Sequence, residues 1–212
     1  GHPAWGDGGS YNFMRYYCEV SNAPQYSLTF NQDTLCDILI VGGGGGAGKE
    51  YSSGGGGGGV IHRVGKVIPA NTYNIIVGGG GAGKSSRGYG GDGGDSSAFG
   101  ATADGGGAGG FLPSGSYGGQ GSYYRWTGKN GGSGGGAPYD STLKGLSVFS
   151  NNTASILYSA DTSLYNQYGG AGNQCDNIDA GGGGGGAGGV QANTTDGADG
   201  KQINITGNNY YW

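Results

Sequence analysis

The chain has 212 residues, 58 of them glycine, with 11% charged and 33% hydrophobic residues and a formal net charge of −4. Glycine inside a helix costs about 1 kcal/mol relative to alanine, so an ordinary helical core is excluded. So is collagen, because glycine comes in blocks and proline totals five. The ten lysines and arginines are scattered singly, without the basic stripe of a nucleic-acid binder, and no apolar run approaches the roughly 20 residues of a membrane span.

In chain order, residues 1–10 read as an arm of Gly, Pro and Asp carrying His2 and Trp5. No signal peptide is visible, and the start at Gly1 reads as a processed or recombinant N-terminus. Residues 11–20 (YNFMRYYCEV) are aromatic and β-prone. Residues 21–24 turn the chain, and Tyr26, Leu28 and Phe30 then alternate with Ser27 and Thr29, the pattern of a half-buried strand. After a turn at 31–34, residues 36–41 form a continuous apolar run suited to burial on both faces.

An internal echo follows. Ile38-Leu39-Ile40-Val41 leads into a glycine block ending Ala47-Gly48-Lys49; 36 residues later Asn74-Ile75-Ile76-Val77 leads into another ending Ala82-Gly83-Lys84. Between them lie glycines 54–59, the strand candidate 60–64 and a turn at 69–72. One such repeat is too few for a solenoid. Further blocks occupy 105–110, 131–136 and 181–189.

Such a block is expected to be an extended three-residue helix, the polyglycine counterpart of polyproline II, rising about 3.1 Å per residue without internal hydrogen bonds. Its amides must bond to neighbours, so the blocks must lie side by side. Ala47, Ala82, Ala108 and Ala187 are expected where a methyl fits or faces outward. The predicted fold is all-β, a small sheet or sandwich with a packed bundle of polyglycine II helices and almost no α-helix. The sheet would come from 11–41, 60–77 and parts of 145–165 and 202–212. Residues 1–25 would be an arm with its first strand, and 26–212 the glycine-rich domain.

Catalytic motifs fail on context. Residues 78–85 spell GGGGAGKS, matching a P-loop, but SSRGYGGDGGD after it cannot be the required helix. The near-copy at 43–49 is followed by Glu50. Residues 90–98 resemble one calcium-binding nonapeptide, yet Ser97 stands where a large apolar residue belongs, and Asp92 and Asp95 read as turn residues. His2 and His62 have no partners at metal-ligand spacing. No enzyme activity, cofactor or metal is expected.

Cys18 and Cys36 would close a short loop if paired; buried thiols are the alternative, with Cys175 as the odd cysteine. Sequons begin at Asn151, Asn193 and Asn204 and are glycan acceptors if a eukaryotic-type secretory pathway makes the chain. The aromatic groups are Trp5, Phe13, Tyr16 and Tyr17; Tyr124, Arg125 and Trp126; and Tyr210, Tyr211 and Trp212. They read either as cover for the glycine bundle or as assembly and recognition surfaces, since Tyr, Trp and Arg are enriched at interfaces.

Residues 26–48 (YSLTFNQDTLCDILIVGGGGGAG), 54–83, 93–100, 131–138 and 181–212 together resemble the glycine-rich domain of viral fibres and surface proteins, in forms encoded by large algal viruses and tailed phages, and of environmental extracellular fibres. They are more loosely similar to glycine-rich phage tail-tip adhesins. The resemblance implies display outside the cell or on a virion surface, without catalysis. The expected function is a filament or fibre subunit that assembles with itself by exchanging the N-terminal arm or strand. The alternative is a fibre-tip adhesin whose aromatic loops meet a cell-surface glycan or receptor.

Overall fold

The computed structural model describes residues 4–7, 12–18, 23–49, 52–111, 128–137, 144–158, 165–173, 181–189, 195–205 and 207–212. The fold is all-β: among these residues there is no helix, and the strands form four antiparallel sheets. Among the described residues β1 (Ala4–Asp7) pairs only with β2 (Asn12–Arg15), setting Trp5 opposite Met14 and Gly6 opposite Phe13. The arm thus contains a strand where only turn-forming residues were evident.

Two larger sheets face each other. One has the order β3 (Gln25–Phe30), β6 (Asn71–Ile76), β7 (Ser96–Ala98) and β8 (Ala101–Ala103); the other has β4 (Thr34–Val41), β5 (Val60–Ile68) and β9 (Tyr165–Tyr168). Alternation in β3 and β4 directs Leu28, Phe30, Cys36, Ile38 and Ile40 into the space between the sheets, where Ile61, Ile68, Ile75 and Leu157 meet them. β7 and β8 are joined by Phe99 and Gly100, both at positive φ (56° and 76°), the backbone of a two-residue hairpin turn. A phenylalanine is unusual there. Its ring is buried 5.0 Å from the Tyr73 ring, so the strained position is held by packing.

The opposite face of the β4–β5–β9 sheet carries a smaller cluster of Val60, Ala187 and Ile203, flanked by Leu39, Val41, Tyr168, Ile205 and Trp212. Ile203 belongs to the hairpin of β10 (Gln202–Ile203) and β11 (Tyr210–Tyr211). Of the sheet contributions expected from 145–165, residues 144–158 hold turns and an isolated bridge at Ser147, and β9 begins at Tyr165.

The glycine tracts continue the strands. β4 runs into residues 42–49, tract 53–59 runs into β5, β6 continues into 78–84, and β8 continues into 104–110. Their hydrogen bonds repeat every third residue. The amides of Gly42, Gly45 and Gly48 donate to the carbonyls of Gly59, Gly56 and Ser53, while those of Gly43, Gly46 and Lys49 donate to Gly94, Gly91 and Gly88. A three-residue repeat of lateral bonds is the periodicity of a polyproline II-type helix. The echo in the sequence becomes adjacency: Gly81 and Lys84 donate to Gly44 and Ala47, so the two tracts lie side by side and parallel.

These bonds order the tracts into two rows. The first runs 78–84, 42–49, 53–59, 181–187; the second runs 88–94, 104–110, 131–137, 169–173, with cross-bonds such as Gly56 to Gly107 and Gly185 to Gly134. Positive φ is confined to Gly65, Gly88, Gly100, Gly189 and Gly207 among the described glycines. Glycine is therefore needed inside the tracts for space rather than for backbone freedom: a Cβ on Gly58 would overlap the Gly42 carbonyl, and one on Gly45 the Gly107 carbonyl.

Candidate functional site

Polar side chains finish the array where a tract has no glycine neighbour. Asp92 and Asp95, three apart, accept the amides of Ala108 and Gly105 at 2.9 and 2.8 Å, replacing the carbonyls a further tract would supply. Asp92 also pairs with the Lys129 ammonium at 3.0 Å. The two residues read as turn formers or calcium ligands are thus substitutes for backbone. The buried Ser53 hydroxyl donates to the Gly136 carbonyl at 2.6 Å, and the Ser96 hydroxyl accepts the Gly78 amide at 2.8 Å. Asn152, buried, accepts from the Thr102 amide (2.8 Å) and donates to the Thr102 carbonyl (3.0 Å), standing in for a strand beside β8. Ala108 and Ala187 are buried, and Ala47 and Ala82 face outward.

Among the described residues no group of His, Cys, Asp and Glu is placed to hold a metal ion, and no helix is long and apolar enough to cross a membrane. The P-loop-like residues 78–84 run extended into bends at 85–87.

The aromatic groups occupy two faces. Beyond β2, Tyr16 packs on the inter-sheet core, its ring 5.0 Å from that of Tyr26. Burial raises the Tyr16 pKa. The Tyr26 hydroxyl donates to the Tyr17 carbonyl at 2.9 Å, and the Arg15 guanidinium sits 5.7 Å from the Tyr17 ring centroid. Phe13 is half-buried on β2. Trp212 belongs to the opposite cluster, and its indole N–H donates to the Ile203 carbonyl at 3.4 Å. Beside it Tyr210 and Tyr211 are 50% and 68% exposed. The N- and C-terminal aromatics are therefore not one patch. Tyr124, Arg125 and Trp126 lie outside the described residues.

No disulfide joins Cys18 and Cys36, and both are half-buried. The Cys36 thiol contacts the Thr34 carbonyl at 3.7 Å, and burial, then the Asp37 charge, raises its pKa. Asn151 and Asn204 are exposed, while Asn193 lies outside the described residues. In the first sequon the Asn151 side-chain oxygen accepts the Thr153 hydroxyl at 2.8 Å.

Sequence reasoning did not identify which sheet edges stay unpaired. Among the described residues β3 pairs only with β6, and β4, eight residues long, only with β5. The asymmetric cover of the array was missed as well. The outer side of the second row is bonded by residues 129 and 145 and by the two aspartates. On the first row Gly55, Gly58, Gly80 and Gly83 make no backbone hydrogen bond among the described residues. Compared with known proteins, residues 21–211 match the glycine-rich domain family. No curated protein and no solved structure matches the chain.

Proposed function

The chain belongs to the glycine-rich domain family, and from that premise we propose that it is an extracellular structural protein, the subunit of a self-assembling filament or fibre displayed outside a cell or on a virion. It acts without catalysis, through contacts with further copies of itself. The observation that carries this reading is the mismatch of strands: β1 and β2 pair only with each other, while β3 and β4 each keep an unpaired edge among the described residues. An unpaired edge accepts an added strand through main-chain bonds. A head-to-tail exchange that does not close generates a filament.

The test is electron microscopy of the full chain and of a chain lacking residues 1–17. Regular fibres from the first and dispersed particles from the second are expected. Fibres from the truncated chain would exclude arm exchange.

The exposed Tyr210 and Tyr211 favour a second reading, a fibre-tip adhesin that meets a surface glycan or receptor. It predicts cell or glycan-array binding by dispersed protein. Binding should be lost in Tyr124→Ala with Trp126→Ala, or in Tyr211→Ala; protein that binds no surface at all would sink this reading.

A further inference from the structure

A groove of about 290 Å³ runs along the bare side of the first row, walled by tracts 53–59 and 181–187 and by residues 197–200, with Val41 and Trp212 also in its lining. Its position follows from the three-residue repeat. On tract 53–59, the amides of residues 53, 56 and 59 donate to the second row, those of 54 and 57 to tract 181–187, and the carbonyls of 54 and 57 accept from the second row. The third set, at Gly55 and Gly58, makes none of these bonds, and both residues line the groove. The groove is where the next tract of the array would stand.

At the far end of the same row, tract 78–84 is a ridge. It is bonded to 42–49 and to 88–94, and Gly80, Ala82 and Gly83 are exposed. A Cβ on Gly83 would meet nothing within 4 Å.

We propose that the groove receives tract 78–84 of a second copy of this chain. The fit is one of backbone to backbone. Gly80 and Gly83 repeat at the same three-residue interval as Gly55 and Gly58, about 9 Å along such a helix, so both positions align in one register. The absence of side chains on the ridge glycines lets it approach a wall made of glycine. Charge agrees: the ridge ends in the exposed Lys84, and exposed Asp199 stands on the segment that forms the groove's third wall. Groove and ridge are different surfaces of one chain, so the contact is heterologous and propagates. The inference rests on the filament reading and adds to it a second contact, which fibre growth requires together with arm exchange.

Two substitutions separate the halves without straining the fold. Gly197→Phe fills the groove from a position whose Cβ has Gly184 O as nearest neighbour, at 3.6 Å, and Gly83→Leu blocks the ridge. By sedimentation velocity on the full chain, each variant alone should lose assembly. An equimolar mixture should stop at dimers, because one variant offers only a ridge and the other only a groove. As a second pair, Asp199→Lys and Lys84→Asp should each weaken assembly and together restore it. Variants that assemble like the parent overturn the groove contact and leave the filament reading standing. A parent chain that forms no fibres overturns that reading, and a peptide of residues 77–84 then tests the groove by itself. The peptide should shift Trp212 emission in the parent and leave Gly197→Phe unchanged; no shift in the parent overturns the proposal.

Discussion

At the scale of single residues, the informative side chains are those that take the place of backbone. Gly105 is buried, and its amide bonds to the Asp95 carboxylate. Asp95→Ala should cost about 1–3 kcal/mol, the penalty for stranding a buried donor, read from urea unfolding. Asp95→Asn, which keeps an acceptor, should cost less. His62 gives a pH dependence. Burial lowers its pKa and outweighs the opposing pull of Asp37. Between the lowered value and the ordinary value near 6.5, the unfolded chain binds more protons than the folded one. The contribution of His62 is therefore fully present above about pH 6.5 and is lost as pH falls through the folded pKa. His62→Gln should flatten the dependence of stability on pH across that window, and a parallel profile for the variant would refute the assignment. The cysteines make a third check. Cys36 should alkylate in the unfolded chain without reductant, and a peptide linking it to Cys18 would contradict the structure.

At the scale of elements, the glycine tracts invert the usual rule for glycine substitution. Gly45→Ala places a methyl on the Gly107 carbonyl and should destabilise by about 1–3 kcal/mol or more, as overpacking does. Gly83→Ala enters open space at ordinary φ and should stabilise by about 0.4–1 kcal/mol through the unfolded state. Chemical denaturation of the two variants decides the matter, and equal effects would mean that the tracts are not closely packed. Strands β3, β4 and β6 were legible because apolar alternation or runs mark them in the sequence. β7 and β8 were not: Ser96–Ala98 and Ala101–Ala103 are short and small-residued, and their identity comes from pairing and from Phe99 turned into the core. The arm strand was hidden because its partner, β2, is the source of its order. The need for side-by-side tracts could be argued from unsatisfied amides alone. Which tract neighbours which could not, because identical glycines carry no address; the flanking strands supply it by fixing where each tract begins.

At the scale of the whole molecule, two kinds of interior coexist. The space between the sheets is closed by Ile, Leu and aromatic side chains, and the array is closed by peptide groups. Unfolding apolar surface raises the heat capacity and unfolding peptide surface lowers it. Calorimetry should therefore give a heat-capacity change clearly below the usual 12–15 cal/mol/K per residue or so, with a correspondingly flat stability curve. A value in the usual range would mean that the array is not a cooperative part of the fold. The aromatic surfaces are legible here only in part. Tyr210 and Tyr211 stand exposed as a tail of aromatics suggests, whereas Tyr16 is drawn into the core by Tyr26, a contact no local pattern announces.

The direction of the lateral bonds has a mechanical consequence. They run across the tracts and recur at every third residue along neighbouring tracts, some parallel and some antiparallel. Tension along the tract axis therefore loads a whole row in shear, and many bonds must yield together before anything slides. Tension across the axis peels tracts apart one row at a time. A fibre whose long axis follows the tracts would resist stretching far better than splitting, and pulling single molecules along each direction in a force spectrometer would reveal two very different rupture forces.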